Sequence, residues 1–144
     1  MLDLGLISKI PTETAGKIKK IAGFDFTRVR ARMCVDYPTA EDELDRLEKE
    51  VKRFLSLAVL EKTPHVTSSK VDALWHYFVL HTMEYRDFCL QIFGKYLEHV
   101  PILPEEKHKF TRGYMRTKQL YQKHFGTPPA DLWRKNDQIC WDFV

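Results

Sequence analysis

Three long stretches of this chain repeat their apolar residues with the period of an α-helix, and none alternates them as a half-buried strand does. From Thr39 to Leu60 the apolar positions are 44, 47, 51, 54, 55 and 58, one helical face. TAED opens that stretch like a capping box, with Thr39 as N-cap and Asp42 at the third helical position. Asp45–Lys49 and Glu48–Lys52 add i,i+4 pairs on what should be the exposed side, and Thr63-Pro64 follows the expected end. The second stretch predicts one helix over Ser68–Phe93, with Gly94 suited to a left-handed C-cap. The third predicts a helix over Pro104–Phe125, with Phe110, Tyr114, Thr117, Tyr121 and Phe125 on one side and Gly126 as its stop.

The ends of the chain are less regular. Residues 1–24 predict a short helix in a weakly ordered N-terminal segment. FDFTRVRARMC predicts a second short helix with Asp25 near its N-cap, stopped at VDYP because the residue before a proline is pushed out of helical conformation. The tail TPPADLWRKNDQICWDFV has no period, but its Trp133, Trp141 and Phe143 are expected to pack on the helices. The expected fold is all-α: one domain over residues 1–144, a compact bundle of three long helices with one or two short N-terminal helices and an aromatic C-terminal tail.

Polar residues interrupt the most apolar of these stretches, KVDALWHYFVLHTMEYRDFC. On a straight helix at about 100° per residue, Val71, Leu74, Trp75, Phe78, Tyr85, Cys89, Ile92 and Phe93 share a broad stripe, with His81 and Thr82 inside it. Val79, Leu80, Met83 and Leu90 form a second apolar strip. Ala73, Tyr77, Glu84, Gln91 and Lys95 make a narrow solvent-facing sector. A helix apolar on two sides is a central one, covered by several neighbours. Asp72 and His76 stand one helical turn apart at the edge of the second strip, whereas Cys89 lies on the other side of the helix. A single ion cannot take both His76 and Cys89 of one straight helix.

Composition and charge narrow the class. Hydrophobic residues make up 44% of the 144 and charged ones 30%, an ordinary globular mixture. No apolar run approaches the roughly 20 residues that span a bilayer, and Asp3, Gly5, Ser8 and Pro11 break the N-terminus, so a cytoplasmic protein is expected. Cys34, Cys89 and Cys140 are far apart and never in a C-x-x-C pair, which argues against a disulfide framework and a zinc knuckle. The net charge of +3 is uneven: Lys109, Arg112, Arg116 and Lys123 form a basic stripe on the third long helix. Such stripes attract phosphates or acidic proteins, although a solvated helix face is their commoner meaning. With no nucleic-acid-binding motif in the chain, a protein partner or acidic ligand is favoured over nucleic acid.

Several motifs, EVKRFLSL, S-x-x-VDALWH, T-x-x-YRDFC, FGKYLEHVP and LYQKHFGTPPADLW, together cover about residues 50–133. In these the chain resembles a family of small bacterial proteins of unknown function, similar to the conserved N-terminal region of plant glycine-rich domain proteins. The resemblance marks Asp72, Trp75, His76, Tyr85, Cys89, Gly94, His99 and Pro101 as motif positions and implies no particular reaction. Relatives carry two adjacent histidines where this chain has Glu98-His99, and no glycine-rich tail is present.

Each polar motif residue has a plain reading beside a functional one. Asp72 can fix the tautomer of an imidazole at His76 for metal binding or proton transfer, or it can pair with Arg53 of the preceding helix. His99 can fold back toward His76 or merely cap a helix end. His81 reads as a core histidine with one hydrogen bond, and Cys89 as a small buried hydrophobe. Two functions follow. In the first, the protein is a non-enzymatic binding or assembly module with its site at Asp72, Trp75, His76 and His99. In the second it binds zinc or another divalent metal through Asp72, His76 and His99, with hydrolysis as the chemistry such a site would support.

Overall fold

The fold, a computed structural model describing residues 2–62 and 65–134, contains helices and no strand among those residues. In chain order the helices are α1 (Thr12–Gly23), α2 (Thr27–Asp36), α3 (Glu41–Leu60), α4 (Ser69–Leu80), α5 (Thr82–Phe93) and α6 (Lys107–Phe125), the last entered through a 3₁₀ turn at Pro104–Glu106. None of them is long and apolar enough to cross a membrane.

The central helix is α3, which packs against α1, α4, α5 and α6, while α2 packs on α4. Its apolar face is the one the periodicity indicates: Leu44, Leu47, Val51, Phe54 and Leu55 are buried. The start differs from expectation. Ala40, whose methyl cannot accept, is the N-cap in place of Thr39, whose hydroxyl donates back to Tyr37 O at 2.6 Å. Lys52 is not on an exposed side; it is 1% exposed, its ammonium bonded to Ala22 O, Phe24 O and Glu48. Asp45 turns to Arg30 of α2 at 2.8 Å.

The expected helix over 68–93 is two helices. At His81, with ψ of 68°, the α-helical ladder stops: its amide bonds Phe78 O, and its ring Nδ1 donates to Tyr77 O at 2.8 Å in place of the lost amide. The bend has a packing cause. Trp75 Nε1 donates to Tyr85 Oη at 3.2 Å, yet on a straight helix these residues would stand about 15 Å apart along the axis. Phe78 and Tyr85 also meet edge to face, 4.9 Å between centroids.

The bend and the position of α2 change which side of this segment faces water. Ala73 and Tyr77, expected toward solvent, are buried, with Tyr77 donating to Asp36 of α2 at 2.6 Å. Leu80, Met83 and Leu90, expected under neighbours, are exposed. A wheel finds the apolar arcs but cannot say which of them a neighbour covers.

On the opposite flank α6 buries Tyr114, Thr117, Tyr121 and Phe125 as its periodicity predicts. Here a buried polar network ties the N-terminal segment, α6 and the turn that carries Trp133 to α3. Glu50 Oε1 accepts from Tyr121 Oη at 2.6 Å and from Trp133 Nε1 at 2.8 Å, and Oε2 accepts from Arg53 at 3.1 Å. Arg53 also donates to Leu4 O at 2.7 Å, and Ile7 N donates to His124 O at 2.8 Å, so the N-terminal segment lies between α3 and α6. Trp133 packs as expected; Trp141, Phe143 and Cys140 lie outside the described residues.

Candidate functional site

The first two turns of α4 and the loop after α5 build one polar corner. Ser68 caps α4, its hydroxyl accepting from Val71 N at 3.2 Å, which sets the register that places Asp72, Trp75 and His76 in successive turns. Gly94 ends α5 at φ +72°, a left-handed residue that reverses the chain toward α4. Tyr85 then holds the loop. Its hydroxyl accepts from Trp75 Nε1 and donates to Leu97 O at 2.6 Å, two residues before His99. Burial raises the Tyr85 phenol well above its ordinary value, so it stays a donor.

His99 therefore reaches Asp72. Its Nε2 lies 3.0 Å from Asp72 Oδ1, and its ring stands edge-on to the indole of Trp75 at 4.6 Å. A carboxylate only accepts, so Nε2 carries the proton and donates; in the neutral ring Nδ1 then keeps the lone pair. His76 is exposed one turn along α4, its ring centroid 5.7 Å from that of His99. The side chain of His99 is 11% exposed and that of Asp72 24%, so the pair is sheltered and His76 is the accessible member.

The structure thus brings together Asp72, Trp75, His76 and His99, but not in the expected pairing. Asp72 bonds His99, twenty-seven residues away, rather than sitting as the partner of His76. The alternative partner Arg53 is engaged with Glu50, Tyr121 and Leu4 instead. The break at His81 turns α5 back on α4, which shortens the path by which the following loop returns His99 to Asp72. His81 itself is a half-buried residue that replaces a backbone donor. Cys89 is fully buried, and burial pushes its thiol upward, against a nucleophilic role. Lys109, Arg112, Arg116 and Lys123 are exposed on α6, away from these four residues in sequence.

An arrangement of this kind can accept a ligand hydrogen bond on an oriented imidazole and donate or accept at a second, exposed one. It can also approach a metal ion through two ring nitrogens with a carboxylate behind one of them. Among the described residues no group of three or more His, Cys, Asp and Glu is placed to hold an ion. Sequence reasoning missed the role of Tyr85 as the strut of the site, and it missed the buried Glu50 network. Glu50 did carry a signal: it falls three residues after Leu47 and four before Phe54, inside the apolar stripe of α3.

The corner lies within a region that sequence comparison assigns. The chain belongs to the UCP032817-like family, a family of uncharacterised proteins whose profile matches residues 17–124. No curated protein and no solved structure matches the chain.

Proposed function

We propose that the protein is a helical binding module whose ligand site is the corner formed by Asp72, Trp75, His76 and His99. One observation carries the reading: a carboxylate orients a sheltered imidazole against a buried indole, and a second imidazole is left exposed beside it. A buried salt-bridge partner would suffice to satisfy Asp72. A sheltered imidazole whose free Nδ1 accepts, beside a second imidazole left exposed, serves recognition of a group that donates to one ring and bonds the other, and a hydroxyl or amide side chain of a protein partner fits that description. Val100, exposed next to His99, adds an apolar contact at the rim.

A second reading takes zinc or a similar divalent ion as the ligand. Its support is the 5.7 Å separation of the His76 and His99 rings with Asp72 behind one of them. Ligand atoms from outside the chain would have to complete the set.

Side-chain ¹H–¹⁵N spectra of the imidazoles separate the two. Peptides rich in Ser, Thr, Asn and Gln titrated into the metal-free protein should move the His76 and His99 signals together, and His76→Ala should abolish the effect. If no peptide moves either ring, while zinc raises the melting temperature of the wild type and not of His76→Ala, the metal reading replaces the first.

A further inference from the structure

The basic helix supports an inference independent of the histidine corner. The α6 sequence holds Lys107, Lys109, Arg112, Arg116, Lys118 and Lys123 and no acidic residue. With those six set aside, 17 basic residues face 20 acidic ones, so the rest of the chain is net negative while the whole is +3. The positive surplus of the protein therefore resides on one helix.

Packing sorts that helix cleanly. Tyr114, Thr117, Tyr121 and Phe125 face the bundle, and Lys109, Arg112, Arg116 and Lys123 turn outward with Met115 and Gln119 among them. From residue 109 to residue 123 the cations extend over about 21 Å of helix axis. Internal acids neutralise Lys109, Arg112 and Lys123 little: Lys123 stands 3.9 Å from Glu61, and none of the ion pairs among the described residues uses Lys109 or Arg112. Beside this face Lys118, Gln119 and Gln122 line a groove of about 360 Å³ with Thr127, Pro128 and Trp133.

The chemistry of the face selects its partner. Protein interfaces draw their energy from a buried apolar centre, and Met115 is the large hydrophobic side chain α6 exposes. Insertion into a membrane surface needs an apolar face as well, and that of α6 is spent on the bundle. What remains is dense positive charge with amide donors. Such a surface gains free energy by releasing the counterions of a polyanion whose charges are closely spaced, as on a nucleic acid with about one per 1.7 Å of duplex. The net negative remainder of the chain would turn α6 toward such a partner. We propose that the outward face of α6 docks the phosphate backbone of a nucleic acid.

The test is fluorescence anisotropy with a labelled mixed-sequence single strand, its duplex, and labelled poly-glutamate. If the four outward cations each meet a phosphate, duplex affinity should fall about 100-fold between 50 and 200 mM salt. Lys109→Glu with Arg112→Glu should weaken binding at least about tenfold at 50 mM and reduce the salt slope by about 2, with unchanged circular dichroism. A control of equal charge change on exposed α1 residues, Lys19→Glu with Lys20→Glu, should cost far less, and His76→Ala nothing. Three results would each overturn the proposal: no binding to either nucleic acid at 50 mM salt, equal losses in the two charge-reversed doubles, or tighter binding of poly-glutamate. The last would assign the face to an acidic protein segment.

Discussion

Removing the carboxylate of Glu50 is the sharpest perturbation of this fold. Glu50 is 3% exposed and accepts three hydrogen bonds, from Tyr121, Trp133 and Arg53. In Glu50→Ala the two neutral donors lose their acceptor, and Arg53 loses the one carboxylate it pairs with among the described residues while keeping Leu4 O and Tyr121 Oη. Breaking a buried ion pair from one side costs about 3–5 kcal/mol, and the donors' individual penalties overlap with that figure rather than adding to it. Arg53 is itself partly accessible, so some rehydration places the expectation near about 3–4 kcal/mol. Glu50→Gln keeps an acceptor for Tyr121 and Trp133 but turns an amide N–H₂ toward the guanidinium, and should cost about 1–3 kcal/mol. Arg53→Met in the Glu50→Ala background should cost less than the two single changes together, with a coupling of at least about 1 kcal/mol. Urea denaturation followed by far-ultraviolet circular dichroism and tryptophan fluorescence reads all three. A Glu50→Ala loss below about 1 kcal/mol at unchanged m-value would show that the network does not hold α3, α6 and the 126–134 turn together.

Other outcomes follow from the same packing. Trp75→Ala should cost about 3–5 kcal/mol by chemical denaturation, and because the indole feeds the Tyr85–Leu97 link, it should also broaden the His99 ring signals. Gly113→Ala places a Cβ 2.9 Å from Val66 Cγ2, so despite better helix propensity it should destabilise by about 1–2 kcal/mol. Val66→Ala should relieve the Gly113→Ala loss in a double-mutant cycle. Burial lowers the pKa of both His65 and His124, so the folded protein binds fewer protons than the unfolded chain as pH falls below about 6.5. Stability should therefore be at its full value above that pH and decline below it until the folded-state values are passed. His124→Gln should flatten part of that decline in melting curves taken between about pH 7.5 and 5.5.

Much of the helical skeleton was legible because burial on one side imposes a period. The C-terminal ends of α3 and α6 at Leu60 and Phe125, the left-handed Gly94 and the buried faces of both helices are consequences of local spacing and local backbone chemistry, whereas both helices start later than expected. The bend at His81 was not legible, since nothing in KVDALWHYFVLHTMEYRDFC breaks helical propensity: it contains neither Gly nor Pro. The helix yields there because Trp75 and Tyr85 gain contacts across the elbow that a straight rod would forbid. For the same reason Ala73 and Tyr77 are inside and Leu80, Met83 and Leu90 outside: the covering of an arc depends on where α2 lands.

The candidate site divides along the same line. The sequence nominated the candidate residues, Asp72, Trp75, His76 and His99, and put three of them on neighbouring turns of one helix. Tertiary structure alone decided that His99 is the partner of Asp72 and that His76 is the exposed ring. That pairing joins residues far apart in the chain, and it exists only because the elbow and the Tyr85 strut return the loop to α4. Periodicity reports on contacts within a few turns; contacts across a fold are set by packing, which no single helix encodes.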